Sequence, residues 1–188
     1  MKRSLTMGIM LLLLGFLAAF INPLQGDESF QYVNNGYNGE TLYHTVNINQ
    51  QVNIAVFNVY AGQQTSNAVF DYKQNIVAYH MPYKGICVVA HMDINKFPDL
   101  GIFEDLIHTK REKKKELEEL KKDYFVTNQQ VYDLAQFGSA VQGLCWGVPT
   151  YWAREYAVPP QTQGVGAQGC AGIHFLFIHV GLCGGFHL

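Results

Sequence analysis

The stretch Ala68–Met92, AVFDYKQNIVAYHMPYKGICVVAHM, decides the fold class. Ala68-Val69-Phe70-Asp71-Tyr72 is apolar and aromatic, and runs through Lys73-Gln74-Asn75 into Ile76-Val77-Ala78-Tyr79. Gly85 then opens a third run, Ile86 to Met92, with Cys87 inside it. Short β-branched and aromatic runs separated by polar turns predict an antiparallel meander. Asp71 is out of character there. A carboxylate inside such a strand is costly unless it is paired or partly protonated. It is either an exposed-face residue or a buried group whose charge state tunes the fold.

Upstream, Leu42, His44, Val46 and Ile48, then Val52, Ile54, Val56 and Asn58, alternate with strand period two. Asn49-Gln50-Gln51 between them is short enough for a hairpin turn. The opposite face, with Asn47, Asn53 and Ala55, is expected to be wet or to lie against something polar. Asp27 to Glu40 is rich in Asn, Gly and Tyr and reads as a mobile leader. The first 26 residues stand apart. Lys2 and Arg3 precede an uncharged run of fifteen residues, Met7 to Ile21, which Pro23 breaks before Gly26. That is the layout of a secretory signal peptide, and the run is short of the ~20 residues of a spanning helix.

Downstream, Asp93 and Asn95 are candidate helix N-caps, with Pro98 expected in the first turn. Phe97, Leu100, Phe103, Leu106 and Ile107 recur at helical spacing. Residues 110–123, KREKKKELEELKKD, hold twelve charges, seven positive and five negative. The pattern predicts a solvated helix extension or flexible excursion, and the glutamates cancel most of the field a nucleic acid would need. Lys110-Arg111 could serve as a dibasic processing site. Tyr124 to Val126 is a short strand candidate. Leu134, Phe137, Val141, Leu144 and Cys145 then share a helix face that Gly147 and Pro149 end. Pro159-Pro160 and the run GVGAQG form a linker before an apolar segment from Cys170 to Cys183.

The 188 residues carry 13 Lys+Arg against 15 Asp+Glu and are 48% hydrophobic, a globular composition without the basic excess of a nucleic-acid binder. The four cysteines, Cys87, Cys145, Cys170 and Cys183, all follow the expected signal segment, and an even number in a secreted chain reads as two disulfides with three possible pairings. Local closure favours Cys170 with Cys183. A Cys87–Cys145 bridge would tie helix to sheet and, in the chain-entropy account, stabilise by roughly 4 kcal/mol. No C-x-x-C, H-E-x-x-H, G-x-S-x-G or P-loop is present, and the seven histidines are scattered. His174 and His179, five apart, are expected on opposite faces of one strand. No catalytic residue, metal site or cofactor is therefore expected, and the chain reads as a non-enzyme.

Three patterns carry a resemblance: F-D-Y-x-x-x-x-V-A at 70–78, I-C-V-V-x-x-M-D at 86–93, and L-C-x-G-V-P-T-Y at 144–151. Together they resemble the BRICHOS domain of the gastrokines. The C-terminal G-A-x-G-C-A run leading to Cys183 is similar to the gastrokine branch of that domain family, and within it to the third gastrokine branch.

The resemblance implies an α+β fold. It would have about five antiparallel strands with two helices packed on the faces, a preceding β-hairpin region and a disulfide-closed C-terminal segment. The implied organisation is a signal peptide over 1–26, a leader and strand region over 27–56, the BRICHOS domain over 57–153 with a charged excursion at 110–123, and a linker with C-terminal segment over 154–188. Cys87 and Cys145 match the family's disulfide-forming cysteines, and Asp71 its aspartate. The implied function is that of a secreted, extracellular protein of gastric mucosa that restrains epithelial growth and maintains the mucosa. The alternative is chaperone-like shielding of β-prone, amyloidogenic clients. Gastrokines that partner trefoil peptides do so through a cysteine ahead of the domain. Gln64 stands at that place here, so a covalent trefoil partner is not expected. The tail from His174 to Val180 is itself β-prone and uncharged. It is either sheltered by the face of residues 68–92 or is another strand of the fold.

Overall fold

A computed structural model describes residues 28–35, 41–62, 65–113, 120–156, 169–175 and 178–184. The expected signal peptide, Gln64 and the Pro159-Pro160 linker lie outside the described residues.

The strands are β1 (Glu28–Asn35), β2 (Thr41–Asn49), β3 (Ile54–Tyr60), β4 (Ser66–Asp71), β5 (Ile76–Met81), β6 (Ile86–His91), β7 (Leu120–Val131), β8 (Thr150–Glu155), β9 (Gly169–Phe175) and β10 (Ile178–Gly184). The helices are α1 (Leu100–Lys113) and α2 (Gly138–Leu144). Among the described residues the strands form one sheet in the order β1-β2-β3-β4-β5-β6-β8-β7-β10-β9.

The expectation of about five antiparallel strands is corrected on two counts. Among the described residues the sheet has ten strands, and β8 pairs β6, and β10 pairs β7, in parallel. The hairpin region and the C-terminal segment are not separate appendages, because each continues the hydrogen-bonded ladder and extends the same core.

Local chemistry explains the meander. Asn53 and Asn75 adopt positive φ in the β2–β3 and β4–β5 turns, where asparagine tolerates the left-handed conformation. Residues 28–35 are not a mobile leader. Glu28–Asn35 pairs along β2, and Phe30 is buried in the core.

The two faces of the sheet carry two cores. Val46, Phe57, Phe70, Tyr79 and Val88 meet α1 through Leu100, Phe103 and Ile107. Val69, Ile76, Ala78, Cys87 and Val89 meet α2 through Val141 and Cys145. The sheet curls around the first face, so that Phe175 on edge strand β9 reaches Phe57 of β3, with ring centroids 6.0 Å apart.

Four further expectations are revised. The cap of α1 is Asp99, whose Oδ1 accepts the Ile102 amide at 2.8 Å, so Pro98 precedes the helix and Asp93 and Asn95 lie in a turn ahead of it. The charged run begins as the expected helix extension, α1 continuing to Lys113, but its end enters the sheet: β7 begins at Leu120 and buries Lys122. The Tyr124–Val126 strand belongs to a twelve-residue β7. His174 and His179 do not share a strand. They are partners across the β9–β10 ladder, because the segment folds back as a hairpin.

Candidate functional site

Asp71, Cys87 and Cys145 lie on the α2 side of the sheet. Asp71 ends β4 and is only 4% exposed. Its backbone pairs with Ile54 on one side and Ile76 on the other. Asp71 Oδ1 accepts the Gln74 amide at 2.9 Å, an Asx-type turn that closes the β4–β5 hairpin. Oδ2 faces Gly138, where a Cβ would stand 3.7 Å away. Gly138 has φ +82, a conformation that glycine adopts without strain, and it is the first residue of α2.

At its other end α2 is held covalently. Cys87 on β6 and Cys145, just past the helix, form a disulfide with a Cα–Cα distance of 5.5 Å. The Cys87 amide donates to Pro149 O at 2.9 Å, drawing the chain after α2 onto β6 before it becomes β8. A seven-residue helix is marginal alone, so α2 depends on this clamp and on burial of Val141. The structure thus brings Asp71 and the Cys87–Cys145 pair to opposite ends of one short helix. Cys170 and Cys183 lie elsewhere, as partners across the β9–β10 ladder, and Cys183 is disulfide-bonded.

The opposite face is an aromatic chamber. Phe57 meets Phe70 at 5.0 Å and Phe103 at 5.4 Å between ring centroids. Tyr79 stacks on Phe175 at 6.2 Å and lies 5.7 Å from Tyr124. Burial pushes both phenols well above their ordinary range, and for Tyr79 the neighbouring Tyr124 adds to the effect. At the margin of this chamber Lys122 is 3% exposed. Its Nζ donates to Glu155 Oε1 at 2.9 Å and sits 4.7 Å from the Phe97 ring centroid. The ion pair and the ring together compensate an ammonium that would otherwise be costly to bury. The Tyr72 hydroxyl donates to Pro98 O at 2.7 Å, which fixes the segment carrying Phe97.

Sequence reasoning singled out Asp71 and the cysteines but missed Lys122, Glu155 and Gly138. A signal for Lys122 was present: Leu120, Lys122, Tyr124 and Val126 keep strand period two through the charged run. Among the described residues no three His, Cys, Asp or Glu side chains are grouped to hold a metal. No helix among them is long and apolar enough to cross a membrane.

Residues 62–152 match the BRICHOS domain. Gastrokine-2 of Rattus norvegicus is 30% identical over 169 residues, 87% of this chain and 90% of the relative. Gastrokine-2 of Mus musculus is 29% identical over 177 residues, 92% and 95% of the two chains. Gastrokine-3 of Mus musculus is 29% identical over 127 residues, 65% and 63%. No solved structure matches the chain. The Gastrokine-2 matches run along more of this chain than the Gastrokine-3 match, so the comparisons do not single out the third branch.

Proposed function

The chain belongs to the gastrokine family, and from that membership we propose that it is a secreted, non-enzymatic protein of gastric mucosa that restrains epithelial proliferation and maintains mucosal integrity. The carrying observation is the alignment with Gastrokine-2 along 87% of this chain and 90% of the relative. On this reading residues 1–26 direct export and are removed. The two cysteine pairs suit an oxidising compartment. Purified protein added to cultured gastric epithelial cells should lower their proliferation, and should do so less after reduction of the disulfides. Unchanged growth at saturating protein overturns the reading.

A second reading, chaperone-like shielding of β-prone segments, is favoured by the packing of the β9 end. Phe175 lies on Tyr79 and Phe57, within the face built by residues 68–92 and its neighbour β3. The C-terminal segment is itself a pair of strands of the sheet, so the full chain is the molecule to test, and it should delay fibril formation by an amyloidogenic peptide. No delay at excess protein counts against it.

A further inference from the structure

On the α2 side of the sheet, Trp152 of β8 stacks against Phe137 at 5.6 Å and meets His91 edge-on at 4.8 Å between ring centroids. The neighbouring strand departs from β8 beside it. The β7–β8 ladder runs to Val126 opposite Ala153 and resumes at Gln130 opposite Tyr151, leaving a bulge between. Side-chain bonds hold that bulge. Thr127 Oγ1 donates to Trp152 O at 2.8 Å and accepts the Gln129 amide at 3.2 Å. Bulges re-aim side chains and concentrate near functional sites.

This one opens a cleft of about 530 Å³ lined by His91, Gln129, Tyr132, Asp133, Gln136 and Trp152. The volume is that of a small-molecule pocket. Its rim is ordered: Gln136 Nε2 donates to Asp133 O, and Asp133 Oδ1 accepts the Ala135 amide. Tyr132 is 85% exposed, so its ring is free to meet a ligand. A second cleft of about 520 Å³ shares His91 and Trp152 and extends along Asp93 and Arg154.

The lining selects a ligand class. A wholly apolar ligand would strip water from the Gln129 amide without offering it a partner. An anion would meet the Asp133 carboxylate in a cleft whose lining contains no lysine or arginine. A neutral polyhydroxylated ring fits both halves: its C–H face lies on an aromatic ring, and its hydroxyls match amides that donate and accept. We infer that the cleft between Trp152 and Tyr132 forms a binding site for a neutral oligosaccharide.

The full-length mature chain can be tested on an array of neutral, sialylated and sulfated oligosaccharides. Binding is then quantified with Trp146→Phe protein, in which Trp152 is the one remaining tryptophan. Trp146 is 74% exposed, so its replacement leaves the core intact. The expected result is a saturable change in Trp152 emission with a neutral array hit. Tyr132→Ala and Gln129→Ala should each weaken it at least about tenfold while near-ultraviolet circular dichroism stays unchanged. Tyr43→Ala, exposed on β2, should leave it unaltered. Absence of any neutral hit for folded protein, preference for sialylated or sulfated glycans, or binding indifferent to both Tyr132→Ala and Gln129→Ala overturns the inference.

Discussion

Asp71 Oδ2 faces Gly138, so the carboxylate that closes the β4–β5 hairpin also abuts the first residue of α2. One side chain therefore couples a turn to the start of a helix 67 positions later in the sequence. Asp71→Ala removes the acceptor for the Gln74 amide and should cost about 1 kcal/mol, whereas Asp71→Asn keeps an acceptor oxygen and should cost less. Gly138→Ala forces a Cβ onto a backbone at φ +82 and should destabilise by about 1 kcal/mol or more. Urea midpoints of the three variants test the ranking. Equal losses for Asp71→Asn and Asp71→Ala would show that charge, and not the turn, is what matters.

The Cys87–Cys145 disulfide spans 58 residues of sequence and is the covalent tie between α2 and the sheet. Replacing both cysteines by serine should lower stability by roughly 4 kcal/mol in the chain-entropy account. Hydrogen exchange should show the amides of residues 138–145 losing protection before those of β4–β6. Uniform loss of protection would mean that α2 and the sheet open as one unit.

Lys122 and Glu155 differ in what each leaves behind when removed. Glu155→Gln strands a buried ammonium and should cost on the order of 2–3 kcal/mol, less than for a wholly buried pair because Glu155 keeps contact with water. Lys122→Met fits among Phe97 and Tyr124 and should be near neutral. Thermal melts of both variants decide this, and a Lys122→Met loss as large as that of Glu155→Gln would make the pair a net stabiliser.

His80 pairs in register with Asn67, at one end of a polar row in which Asn67 Nδ2 donates to Asn58 Oδ1 and Asn58 Nδ2 to Thr45 Oγ1. Burial holds the imidazole below its ordinary value of 6.5. The unfolded chain therefore binds the proton first. The neutral ring's contribution to stability is complete above pH 6.5 and is lost as pH falls through the lowered folded value. Proton NMR of the His80 ring should titrate below 6.5, and His80→Gln should flatten the acid limb of the melting curve. A midpoint at or above 6.5 contradicts the burial argument.

Much of the fold was legible where the signal is local. Period two from Leu42 to Ile48, the Lys73-Gln74-Asn75 turn and the Phe137–Val141–Cys145 helix face each arise from residues within a few positions of one another. In β3 the phase is the opposite of that expected: Val52 lies in the turn, and Ala55, Phe57 and Val59, on the side expected to be wet or polar, are the buried face. Asp71 stood out because a carboxylate conflicts with its apolar neighbours. Lys122 was obscured because twelve charges in fourteen residues read as solvent-exposed, although its two-residue spacing from Tyr124 belongs to a strand. The Trp152 cleft could not be read at all. It depends on a bulge in β7 that exists only once β7 and β8 are paired.

Taken alone, the chain's residues determined the meander, the helix faces, the four cysteines of the expected secreted part and the motifs of the gastrokine BRICHOS domain. Tertiary structure decided the rest: the parallel pairings of β6 with β8 and β7 with β10, the merging of both flanks into one curled sheet, and the placing of Asp71 beside Gly138. The physical reason is range. Periodicity records which side of its own strand a residue faces, but partner choice between distant strands is settled by the collective burial of two cores, which no short window contains.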